Sequence, residues 1–164
     1  VQAALLPRLA RLAAQGDLDE FRNGFRRLMQ VVIAVGIIGT LGSFAAGPAL
    51  LRIVYDDTLD RGSLTMLALG SALYMVALAT AQAVIALNGH ARVGLGWLLG
   101  MVTFVGCTWL ASDDLYTRVE IGLVASSVVA LLVFAYSLRE LLNAGALMSP
   151  DSLSDALSDR PFEA

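Results

Sequence analysis

The sequence predicts an all-α protein, a polytopic bundle of transmembrane helices. Three observations predict it. Residues 64–88 read LTMLALGSALYMVALATAQAVIALN and carry no charge. At ~1.5 Å per residue such a helix is roughly 36 Å long, enough to cross a ~30 Å hydrocarbon core. Of 164 residues, 57% are hydrophobic and only 15% charged, with a mean hydropathy of +0.72. This composition belongs to integral membrane proteins. The apolar runs are continuous rather than alternating, which selects helices over a β-barrel.

Taken in order, the chain predicts four complete spans, the end of a preceding helix and an interfacial amphipathic helix. Residues 1–6 are apolar and Pro7 ends them. This reads as the close of a helix that began upstream, so the chain is expected to be part of a longer protein. Arg8 and Arg11 follow, then a break at Gln15, Gly16 and Asp17. Asp17 with Glu20 forms a capping-box pattern. Beyond it Leu18, Phe21, Phe25, Leu28 and Met29 recur at helical spacing, while Arg22, Arg26 and Arg27 lie mostly off that stripe. The pattern predicts an amphipathic helix in the membrane interface; a solvated helix is the alternative.

The first span is predicted over 28–51, closing near Gly47 and Pro48. Gly39, Ser43 and Gly47 fall at four-residue spacing and predict a stripe for close helix packing. A flexible point in a moving helix is the other reading. A polar loop holds Asp56, Asp57, Asp60 and Arg61, and the second span, 64–88, follows. Asn88, Gly89 and His90 make a tight turn. The third span covers 93–110, with Gly96 and Gly100 as a close-packing pair. Asp113, Asp114, Arg118 and Glu120 are placed in a short loop, and the fourth span is predicted over 121–138, continuing to about residue 143. Residues 144–164, with Ser149, Pro150, Asp151 and scattered Asp and Ser, read as a disordered tail.

All eleven basic residues are arginines, and their distribution sets a topology. Arg8, Arg11, Arg22, Arg26, Arg27, Arg92, Arg139 and Arg160 fall on one side of the predicted spans. Only Arg52, Arg61 and Arg118 fall on the other. The first side is therefore expected to be cytoplasmic, with the tail.

Catalytic chemistry finds little support. One His and one Cys cannot build a metal cluster of familiar spacing. No cofactor, metal or nucleic-acid partner is expected. Asp56, Asp57, Asp113 and Asp114 read as solvated loop acids. Gly94, Gly96 and Gly100 faintly imitate a dinucleotide fingerprint, but no strand precedes them. No charged residue is expected deep within a span, where a carboxylate would mark an ion relay. The candidates for a substrate pathway are Gln82, Tyr74, Thr80, Gln30 and Asn88, each of which serves equally as an interhelical hydrogen-bonding group.

Several segments, in order, resemble the multidrug/oligosaccharidyl-lipid/polysaccharide exporter superfamily. LPRLARLAAQGDLDEFRNGFRRLM is similar to its cytoplasmic connection, with a Pro at the helix end, a Gly-Asp break and a basic amphipathic segment. GPALLRIVYDD resembles the end of the next span, and ALNGHARVG the short turn after the following one. RVEIGLVASSVVALLVF resembles the start of the final helix, with Gly122 but without the usual Ala pair. The resemblance implies that residues 1–143 form the C-terminal lobe of a twelve-helix flippase in the plasma membrane. The implied partners are the lipid bilayer, an N-terminal lobe and a polyprenyl-diphosphate-linked glycan. The implied activity is export of a lipid-linked oligosaccharide or polysaccharide precursor by alternating access. A multidrug exporter, a non-transporting scaffold of the same fold and a membrane enzyme such as a polysaccharide polymerase are the alternatives.

Overall fold

The computed structural model describes residues 18–55, 60–110 and 114–147. They form four α-helices: α1 (Leu18–Tyr55), α2 (Arg61–Ala86), α3 (His90–Leu110) and α4 (Leu115–Leu147). Each is long and apolar enough to cross a membrane, the arrangement of a multi-pass membrane protein. The proposed end of a preceding helix at 1–7, with Arg8 and Arg11, lies outside the described residues, as does the tail beyond residue 147.

The separate amphipathic helix expected before the first span is not seen as such. The arginine-bearing segment and the span form one helix of 38 residues. No proline stands between Leu18 and Gly47 to break the backbone ladder, and the helix runs on through Gly24. At ~1.5 Å per residue α1 is about 57 Å long, so its charged first turns extend past a ~30 Å hydrocarbon core. Asp19 and Glu20 in its first turn face the positive end of the helix dipole. The expected closure near Gly47 and Pro48 also fails, because α1 continues through Pro48. Proline leaves the carbonyl of Phe44 without its intrahelical donor, a cost that packing against α2 must offset.

The other boundaries follow from their caps. Asp60, in extended conformation, accepts a hydrogen bond from the Gly62 amide at 2.9 Å and starts α2. At its other end Asn88 takes the left-handed conformation, φ 62°. There the Gly89 amide donates to the Val84 carbonyl at 2.9 Å and the Asn88 amide to Ile85 at 2.9 Å. This is a Schellman closure, with Asn88 where glycine is usual. α3 begins at once, and Val93 donates back to Gly89 at 3.2 Å. Asp114 caps α4, its Oδ2 accepting from the Thr117 amide at 2.9 Å and the Thr117 hydroxyl at 2.8 Å.

The four helices pack in the spatial order α1, α2, α4, α3. α4 thus inserts beside α2, and α3 lies on its far side. Small residues set each interface. Gly36 abuts Ala72 between α1 and α2, and the Ser43 hydroxyl donates to the Leu64 carbonyl at 3.0 Å. Gly70 of α2 meets Leu123 of α4, and the Ser127 hydroxyl donates to the Gly70 carbonyl at 3.4 Å. Gly96 and Gly100 of α3 meet Phe134 and Ala130 of α4. Lipid gives helices no hydrophobic reason to associate, so such close approaches carry the packing. The buried core, including Phe21, Val84 and Phe134, gathers toward the end that holds the α2–α3 turn.

Candidate functional site

Arg22, Arg26, Arg27, Arg92 and Arg139 stand at this same end, beside the α2–α3 turn. The antiparallel packing of α1 on α2, and of α3 on α4, brings them there. Arg92 donates to Glu140 Oε2 at 2.9 Å and so joins α3 to α4. Arg22 lies 3.4 Å from Asp19 on its own helix.

Between α1, α2 and α4, at the arginine-rich end, lies a cavity of about 460 Å³. Its walls are Phe25, Met29, Val76, Leu131, Ala135, Leu138 and Leu142; its polar groups are Arg22, Thr80, Arg139 and Asn143. The chain brings two guanidinium groups from different helices to one apolar hollow. Thr80 is buried, and its hydroxyl donates to the Val76 carbonyl at 2.8 Å, leaving its lone pairs toward other groups.

A second hollow, of about 410 Å³, runs between α1 and α2 and is lined by Ile33, Gly36, Ile37, Thr40, Leu41, Leu69, Ala72, Leu73 and Val76. Val76 borders both spaces. Its one polar side chain, Thr40, donates its hydroxyl to the Gly36 carbonyl at 2.8 Å, which leaves the cleft apolar.

The candidate pathway residues do not converge. Thr80 lines the lower cavity, together with Arg22 from the basic group. Tyr74 is half-exposed and packs on Trp97 of α3 at 5.5 Å between ring centroids, and Trp97 in turn meets Phe134 edge-on at 5.1 Å. Gln30 is exposed, Gln82 is half-buried, and neither borders these two hollows. Asn88 is the left-handed residue of the α2–α3 turn, which is a backbone role. Of the packing residues, Ser43, Gly47, Gly96 and Gly100 meet a neighbouring helix, but a side chain on Gly39 would meet nothing within 4 Å. Among the described residues, the α1 positions that meet α2 are Gly36, Ser43 and Gly47.

One functional candidate was missed. The sequence reading puts Glu120 at the end of a loop, but α4 begins at Leu115 and Glu120 falls in its second turn. It is 7% exposed, and among the described residues its Oε1 has no hydrogen-bond partner. Glu120 thus stands near one end of the α4 span, a charged residue at its margin and not deep within it. An ionisable side chain buried in a span is costly and is usually retained for function. Two signals in the sequence pointed to it. Asp114 with Thr117 is a helix start, and Glu120, Leu123 and Ser127 share one helical stripe.

Among the described residues no group of three or more His, Cys, Asp or Glu could hold a metal ion. No family model, no curated protein and no solved structure matches this chain.

Proposed function

We propose that this chain is the C-terminal lobe of a flippase or exporter that moves a lipid-linked oligosaccharide or polysaccharide precursor across the plasma membrane. The observation that carries the reading is the apolar cleft between α1 and α2, which shares the wall residue Val76 with a cavity that bears Arg22 and Arg139. A lipid-linked cargo needs such a pairing, an apolar lateral path for its chain and a polar space for its head. The ordered resemblance to the polysaccharide exporter superfamily supports the same reading. In it the arginine-rich end faces the cytoplasm, an N-terminal lobe of the same protein completes the pathway, and transport proceeds by rocking of the two lobes.

The test is depletion of the full-length protein in its own cell. A lipid-linked glycan should accumulate on the inner leaflet, and the wild-type gene should restore its export. Ile37→Trp, which fills the cleft from α1, should restore less export at equal expression and equal thermal stability. Unchanged levels of every lipid-linked precursor on depletion would refute transport and favour a scaffold of the same fold.

A further inference from the structure

The charge balance of the arginine-bearing cavity selects a ligand. Arg22 and Arg139 contribute two positive charges to its lining. Asp19 lies 3.4 Å from Arg22 but is largely exposed and is not among the lining residues. Among the described residues no carboxylate pairs with Arg139. The lining therefore carries positive charge with no carboxylate among its residues, and suits the phosphate of a lipid headgroup. Phe25, Met29 and Leu131 supply apolar wall in the same lining. Asn143, at the exposed rim, adds an amide donor. Basic pockets between spans are a recurrent setting for anionic lipid headgroups.

We propose that this cavity binds one anionic phospholipid of the adjacent leaflet, its phosphate between Arg22 and Arg139 and its acyl chains on Phe25, Met29 and Leu131. The lipid bridges α1 to α4, two helices that otherwise touch little. Its binding does not depend on the chain being a transporter.

The experiment uses the full-length protein, delipidated in mild detergent and offered phosphatidylglycerol or phosphatidylcholine. Retained lipid is counted by native mass spectrometry. One phosphatidylglycerol per chain should be retained, and phosphatidylcholine should not. Arg139→Gln and Arg22→Gln should each reduce retention about fivefold to tenfold, the loss expected from one charged contact at a membrane surface. Arg26→Gln removes an equal charge from an exposed site off the cavity, and retention should stay within about twofold. Asn143→Asp places a negative charge at the rim without touching the packed walls, and should also expel the lipid. Equal loss in Arg26→Gln would show a diffuse surface attraction and overturn the site. Equal retention of phosphatidylcholine would remove the role of charge. Displacement of phosphatidylglycerol by a polyprenyl diphosphate would give the cavity to a carrier lipid instead.

Discussion

Gly96 on α3 lies against the ring of Phe134 on α4, so close that one added carbon would collide with the ring edge. Phe134 is fully buried, and Trp97 packs on it from the neighbouring position of α3. The ring therefore has nowhere to move. Gly96→Leu should lower thermal stability in detergent by ~1–3 kcal/mol, as overpacking typically does. Gly94→Leu and Gly39→Leu, where an added Cβ meets open space, should fall within about 0.5 kcal/mol of wild type. Equal losses at all three positions would show that close approach is not what Gly96 provides.

Asp114 gives α4 a pH-dependent start. The Thr117 amide and then the Thr117 hydroxyl hydrogen-bond its carboxylate and hold its pKa below the ordinary value. A depressed folded-state pKa contributes stability that is present above the unfolded value, about 3.9, and is lost as pH falls through the folded one. Amide exchange at Thr117 should therefore be insensitive to this group from neutral pH to about 4 and lose protection below it. The step should vanish in Asp114→Ala, which removes the cap at every pH. A protection loss centred well above pH 4 would contradict this account.

Glu120 carries a buried oxygen, Oε1, that none of the described residues satisfies. Glu120→Leu removes that oxygen at similar volume and should raise stability by ~1 kcal/mol or more. If Glu120 is retained for function, the same variant should lower export while the protein is more stable. A drop in stability would mean that the carboxyl is held by groups that Leu cannot replace.

The sequence made the spans legible because runs without charge are long, and Asp60 and Asp114 mark two of their starts. It made Gly96 and Gly100 legible for a similar reason, since their spacing puts both on one stripe and both meet α4. Gly39 shows the limit of that reasoning. Spacing gives a stripe, but which stripe faces a neighbour depends on where that neighbour packs. Gly36, one turn earlier, takes the contact with Ala72. The order α1, α2, α4, α3 was not legible either, because no local pattern tells α4 to insert beside α2. The cavity was hidden for the same cause. Arg22 and Arg139 are distant in sequence, and only the passage of α4 past α1 brings them to one hollow. Glu120 was lost to a boundary drawn at the last charge and not at the cap.

The topology rests on the arginines and can be read with single cysteines in a Cys107→Ala background. Cysteines replacing Ala91 or Ser154 should resist an impermeant reagent in intact cells. Cysteines replacing Asp60 or Tyr116 should react. Labelling at Ala91 in intact cells would invert the assignment of the arginine-rich end.

The central claim is movement of a lipid-linked glycan, and a leaflet-resolved transport assay tests it most directly. The full-length protein is reconstituted in vesicles with a fluorescent lipid-linked oligosaccharide, and an impermeant quencher reports the fraction on the outer leaflet. The account predicts that wild type equilibrates or pumps the lipid between leaflets much faster than empty vesicles. Ile37→Trp should slow that movement with the protein still folded. Movement no faster than in empty vesicles, from protein shown to be folded, would contradict the account.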